Sequence, residues 1–289
     1  MKLNKIFAAV AVIGVAAFGT AAHALPTIKN LDGLQTPFGG FDWTAGSAAW
    51  TTGFTAVDNS TFSLDYASTA AAVTKTDGSA FAGGFIDGIA DGLKSSVLGT
   101  FLATGAAYEY TVFAHLTEKV VSCAAVSSCT FMVTGGTFDI YYNEFAGGAP
   151  SGPNFAKESN GTGYQNGVKI ISGTINGGPT TLFDTVTGGQ ASLSGSVIST
   201  NLAYVNPALV GTQLTSTLQL GSAVTNFTIP TGYDYNNDGV TAGSELFTAG
   251  QLIFQADANQ TFSVPEPGAL LLAGFALAAC GLVSRRKSA

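Results

Sequence analysis

Short runs of β-branched and aromatic residues recur along this chain, and glycine pairs separate them. That rhythm limits the possible folds more than any other feature. Residues 107–117, Ala107-Tyr108-Glu109-Tyr110-Thr111-Val112-Phe113-Ala114-His115-Leu116-Thr117, carry side chains that pack well on a pleated surface. Further strands are predicted at 61–66, 167–175, 180–186, 191–199, 213–220 and 251–256. Residues 130–134 and 137–142 read as a hairpin across Gly135-Gly136, while Gly147-Gly148, Gly177-Gly178 and Gly188-Gly189 mark other joints. Helix-like composition is confined to the alanine-rich residues 68–73 and to 85–98, and Gly88 and Gly92 weaken the second. Residues 143–163, with Pro150 and Pro153, read as a long surface loop. Many short strands at regular spacing imply an all-β fold, an antiparallel sandwich or a jelly-roll-like domain.

The two ends of the chain have a different character. Lys2 and Lys5 precede an apolar run at 6–18, and Ala22-His23-Ala24 supplies a small-residue cleavage pattern. Residues 1–24 therefore read as a signal peptide, removed by signal peptidase after Ala24 to leave Leu25 first. At the other end, Val264-Pro265-Glu266-Pro267 runs into an apolar stretch at 268–283, which stops at Ser284-Arg285-Arg286-Lys287-Ser288-Ala289. Such a stretch matches the shortest transmembrane helices. The basic tail at 284–289 holds its end on the cytoplasmic side, which leaves residues 25–263 as an exported domain.

Charge narrows the partners of that domain. Residues 25–263 hold six lysines, no arginine and seventeen carboxylates, a net of −11. A surface of this kind cannot neutralise phosphates, so nucleic acid is excluded as a partner. Adhesion to an anionic lipid or acidic polysaccharide surface is disfavoured in the same way, unless a divalent cation bridges the two. The high apolar and aromatic content argues against disorder.

Cys123 and Cys129, six apart, can close a short loop as a disulfide in an oxidising compartment, or remain two thiols. Cys280 falls inside the apolar tail. Residues 234–245, Asp234-Tyr235-Asn236-Asn237-Asp238-Gly239-Val240-Thr241-Ala242-Gly243-Ser244-Glu245, satisfy the pattern of an EF-hand calcium loop. Asp234, Asn236 and Asp238 supply three side-chain oxygens, Val240 a carbonyl and Glu245 a bidentate carboxylate. The segment before Asp234 looks extended rather than helical, and Thr241 stands where a paired loop has an apolar residue. The same residues also make a plain acidic turn. Calcium is the one cofactor expected, held with a dissociation constant on the order of 10⁻⁴–10⁻³ M.

No catalytic constellation is legible. The exported domain has one histidine, His115, inside an apolar strand pattern, so a zinc site with several histidines is not available. No nucleophile elbow, phosphate loop or dinucleotide fingerprint occurs. Glu109, Glu118, Asp139, Glu144 and Glu158 are numerous enough for a carboxylate pair, but nothing shows which two would face each other. Trp43, Trp50, Tyr141 and Tyr142 are the aromatics that could stack on sugar rings, and pleat alternation admits only one of the two tyrosines to the core.

The terminal arrangement resembles the PEP-CTERM sorting signal: a signal peptide, then Val264-Pro265-Glu266-Pro267, one short apolar helix and Arg285-Arg286-Lys287. The resemblance implies recognition of residues 264–289 by an exosortase, a membrane protease that cuts near Pro265-Glu266-Pro267 and releases or transfers the exported domain. It also implies transient anchoring in the inner membrane, then a place at the cell surface or in the extracellular matrix, among secreted exopolysaccharide. Leu25-Pro26-Thr27, Phe41-Asp42-Trp43, Tyr141-Tyr142-Asn143-Glu144 and the run from Phe254 through Gln255-Ala256-Asp257-Ala258-Asn259-Gln260-Thr261 to Phe262 resemble the flocculation-associated PEP-CTERM proteins. That likeness implies a non-catalytic protein promoting flocculation and biofilm formation with exopolysaccharide. The alternative is a secreted carbohydrate-binding or glycosidase-like β-sandwich protein.

Overall fold

The computed structural model describes residues 25–31, 33–44, 47–81, 108–125, 128–144, 164–177, 182–224 and 252–263. Pro26–Ser263 forms one compact unit. Its elements are β1 (Thr27–Asn30), β2 (Gly33–Gln35), β3 (Phe38–Trp43), β4 (Ser47–Thr52), β5 (Thr61–Lys75), β6 (Tyr108–Ala125), β7 (Ser128–Glu144), β8 (Val168–Asn176), β9 (Leu182–Asp184), β10 (Gly189–Thr200), β11 (Val205–Asn206), β12 (Gln213–Val224) and β13 (Ile253–Ser263). All are strands, and the all-β expectation holds. The sandwich or jelly roll does not. The main sheet runs β12-β10-β8-β7-β6-β5-β3-β13, and β13 pairs back onto β12, so the sheet closes on itself. β3 and β4 share one stave, because both pair with β5 on one side and β13 on the other. The result is an up-and-down antiparallel barrel of eight staves, with β9 attached beside β7.

Staves β13 and β10 obey a simple alternation. Along β13, Phe254, Ala256, Ala258, Gln260 and Phe262 are buried, whereas Asn259 and Thr261 are exposed. In β10, Ala191, Leu193 and Val197 point inward between exposed Gln190, Ser192 and Ser194. An apolar lumen inside a wall of serine, threonine and amide side chains is the reverse of a lipid-facing barrel, which carries its apolar band outward. On the opposite wall, Trp50, Asp65, Thr69 and Thr111 are buried although their strand positions face outward. Part of the cover is the chain at Tyr164, whose carbonyl accepts a 2.7 Å hydrogen bond from the Thr111 hydroxyl.

The barrel has two distinct ends. At one, β5, β7, β10 and β13 finish and β3, β6, β8 and β12 begin. This terminal end also carries the three-stranded sheet β11-β1-β2, so the first and last described strands, β1 and β13, meet the rest of the chain there. Phe38, Phe41, Tyr108, Tyr110 and Tyr142 cluster inside it. At the other, hairpin end, Phe54, Phe62, Phe131, Phe183 and Phe254 form a second cluster, with ring centroids 5.1 to 5.8 Å apart.

Two local expectations are corrected. Gly135-Gly136 is not a turn: β7 runs straight through it, with Thr117 opposite Gly135 and a register shift just beyond. A Cβ on Gly136 would lie 2.5 Å from the His115 carbonyl oxygen, so these glycines serve a bulge and a close backbone approach. The alanine-rich residues 68–73 lie within β5, where pairing on both flanks overrides helix propensity. The tyrosine pair follows the expected alternation: Tyr142 fills the lumen with Ile140 and Phe138, and Tyr141, also buried, is covered on the outer wall.

Candidate functional site

The lumen is filled rather than open. A cavity of about 30 Å³ remains, bordered by Trp43, Tyr66, Phe138, Leu193, Ser216 and Gln260. That is room for a water or two and for no larger ligand. The Gln260 Oε1 atom, on its edge, has no hydrogen-bond partner.

Glu118 is the outlying residue of the interior. Its position on β6 between Leu116 and Val120 turns it into the barrel, opposite Phe62 of β5 and Val133 of β7. It is fully buried, and neither carboxyl oxygen has a hydrogen-bond partner. Burial pushes its pKa well above the ordinary carboxylate range, which favours a neutral acid.

His115 sits on the outer face of the same strand. It is directly opposite Asp65, and its Nδ1 lies 2.6 Å from Asp65 Oδ1. The Asp65 side chain is 3% exposed and that of His115 is 53% exposed. On the other ring edge, Ser63 Oγ stands 3.5 Å from Nε2. Burial raises the Asp65 pKa, and the hydrogen bond and charge of His115 oppose that rise. Carboxylate, imidazole and hydroxyl thus follow one another in the order of a serine relay. A relay also needs donors aimed at a developing oxyanion. β5 is paired on both flanks here, with Thr52 and Thr117 opposite Ser63, so its backbone N–H groups belong to the ladders. His115 is a strand residue, as its sequence pattern predicts, but the signal for this cluster is cross-strand: only the register brings residues 63, 65 and 115 together.

The remaining sequence-predicted residues are dispersed or enclosed. Glu118 faces inward and Glu109 and Asp139 outward, so the pleat separates the first from the others. Asn143 Nδ2 donates to Glu109 over 3.3 Å, Lys169 Nζ to Asp139 over 2.7 Å, and the Tyr142 hydroxyl to Glu144 over 3.0 Å. Burial raises the pKa of both Tyr141 and Tyr142, and their neighbouring carboxylates add to it. Trp43, Trp50, Tyr141 and Tyr142 are all less than 7% exposed, which leaves no open ring face among them for a sugar.

Cys123 and Cys129 face each other in the ladder near the tip of the β6–β7 hairpin and are joined by a disulfide. The tip is tied further: Cys123 N donates to Asp58 Oδ1 at 2.9 Å, and Cys129 N to Thr185 Oγ1 at 3.0 Å. The signal-peptide residues Ala22 and Ala24 lie outside the described residues. So do the calcium-loop residues Asp234, Asn236, Asp238, Val240 and Glu245, the sorting residues 264–287, Glu158, and the apolar stretch 268–283.

The end of β13 is where known proteins give a match. Residues 263–287 match the PEP-CTERM protein-sorting motif. The chain carries a PEP-CTERM sorting motif. Such a motif implies export and sorting through the membrane by an exosortase, which acts as the processing partner. Its first residue, Ser263, is the last residue of β13, so the barrel ends where the motif begins. No curated protein matches the chain. No solved structure matches it either.

Proposed function

We propose that this is a non-catalytic extracellular-matrix protein: a closed β-barrel, exported behind a signal peptide, processed by an exosortase and retained among exopolysaccharide, where it promotes flocculation and biofilm formation. The observation that carries this reading is the junction at Ser263, where a complete barrel gives way without a linker to a sorting motif. The exported part has a filled lumen and a wall of hydroxyl and amide side chains, suited to many weak hydrogen bonds with hydrated sugars rather than to one enclosed ligand.

Calcium supplies the missing attraction in this proposal. A barrel domain with a net charge of −11 repels an acidic polysaccharide, and a loop at 234–245 holding Ca²⁺ would bridge the two. Chelation is then expected to lower the melting temperature of the native protein, and Asp234→Ala to abolish the calcium response. The whole reading is tested by a deletion strain. It should make normal amounts of polysaccharide yet settle poorly, and recover with the full-length gene but not with a version lacking residues 264–289. Normal flocs in the deletion strain would reject the matrix role.

A further inference from the structure

The terminal end of the barrel displays aliphatic side chains that neither the core nor the polysaccharide reading uses. Leu31 and Leu34 project at the β1–β2 turn, Ile198 stands at the bulge of β10, and Leu202 and Val210 lie on the connection from β10 to β12. Each is more than half exposed. These elements are continuous: β1 pairs with β11, β11 lies on the β10–β12 connection, and Lys29 N donates to the Tyr204 carbonyl at 2.7 Å. The Tyr142 and Tyr204 rings, 5.2 Å apart, join this small sheet to the barrel. Among the described residues the hairpin end, by contrast, exposes only the smaller valines Val57, Val121 and Val186.

The position of Ser263 gives this rim an occupant. Ser263 is opposite Gln213 at the terminal end, and four residues separate it from the apolar stretch that starts at Gly268. Five Cα steps reach at most ~18 Å. The headgroup layer on one side of a bilayer accounts for roughly 5–8 Å of that. The barrel itself is ~30 Å long, taking twelve-residue staves at the usual rise and tilt. So short a tether keeps the terminal end at the membrane surface and leaves the hairpin end a barrel length away.

We infer that, before the tail is cut, the terminal end docks on the lipid bilayer through Leu31, Leu34, Ile198, Leu202 and Val210, which hold the Pro265-Glu266-Pro267 segment at the height where a membrane protease works. This rests on the reading of 268–283 as a membrane span. The contact is made of apolar side chains in the headgroup zone. Among the described residues near this end, Lys29, Lys75 and Lys169 are matched by Asp77, Asp139 and Glu144, so attraction to anionic lipid is not required. Once the tail is cut the tether is gone, and the small docking surface lets the barrel leave.

The test uses the full chain reconstituted in phosphatidylcholine vesicles, with Cys280→Ser to leave one labelling site. A fluorophore is placed at Leu34→Cys or, separately, at Val186→Cys, and headgroup-spin-labelled lipid serves as quencher. Quenching at position 34 is expected to exceed that at 186 by roughly threefold or more, because one probe sits in the headgroup layer and the other a barrel length above it. Equal quenching at the two positions, in protein that resists carbonate extraction, would overturn the docked pose alone. A probe at 34 shielded from both lipid quencher and aqueous iodide would overturn it in favour of a second copy covering the rim. Complete extraction by carbonate would reject the membrane span and with it the tether on which docking depends.

Discussion

At the hairpin end five phenylalanines close the barrel, a disulfide staples the protruding tip, and the exposed apolar side chains are valines. At the terminal end the plug is built largely of tyrosines, and two of their hydroxyls are bonded: Asn30 Nδ2 donates to the Tyr110 hydroxyl, and the Tyr142 hydroxyl donates to Glu144. Exposed Leu31, Leu34, Ile198, Leu202 and Val210 lie at the same end. One end is therefore a dry, cross-linked stopper whose role is stability. The other combines packing with an apolar outer surface and is where the chain runs into the sorting motif. The lesson is that burial and exposure of the same residue class answer different needs at opposite ends of one barrel.

Truncation should separate the two ends most sharply. Phe131→Ala, at the centre of the hairpin-end cluster, is expected to cost about 3–5 kcal/mol in denaturant unfolding. A loss below ~1 kcal/mol would mean that this plug does not hold the barrel closed. The disulfide comes next. Replacing both Cys123 and Cys129 by alanine should cost about 2 kcal/mol, the loop-closure value for so short a ring. Protection from hydrogen exchange should fall first at the β6–β7 tip and leave β12 and β13 unchanged.

Glu118 gives a smaller effect with a definite pH sign. Its folded pKa lies above its unfolded value, so the folded state binds the extra proton and stability declines as pH rises from the ordinary carboxylate range toward the raised one. Below that window the residue contributes no pH dependence. Glu118→Met is expected to gain on the order of 1 kcal/mol at pH 8, with the gain shrinking at pH 4. A variant that is less stable than the parent at pH 8 would show that the carboxylate is solvated. Smallest of all, Leu34→Ser on the terminal rim should change stability by no more than about 0.5 kcal/mol, which leaves its effect on membrane docking cleanly readable.

Much of the strand content was legible because β-branched and aromatic runs such as 107–117 carry their own propensity. Closure was not. The same inward–outward alternation serves a sandwich or a barrel, and the choice rests on one non-local contact, β13 against β3 and β4, between segments about 200 residues apart that loop composition cannot align. Gly135-Gly136 misled because a glycine pair suits both a tight turn and a bulge, and only the opposing backbone of β6 decides between them. Residues 68–73 misled because alanine favours a helix until both flanks are paired. Of the functional residues, the sorting segment was readable since its parts are contiguous: proline, apolar run, basic end. The Asp65–His115–Ser63 cluster was not, because it exists only once β5 and β6 are in register.

The proposed function requires delivery: a folded barrel carried out of the cell on a tail that is removed at the barrel's edge. Mass spectrometry of the protein recovered from the extracellular matrix tests this directly. It should begin at Leu25 and end within a few residues of Pro265-Glu266-Pro267, with no peptide from 268–289. Matrix protein that still ends at Ala289, with Arg285-Arg286-Lys287 intact, would contradict it.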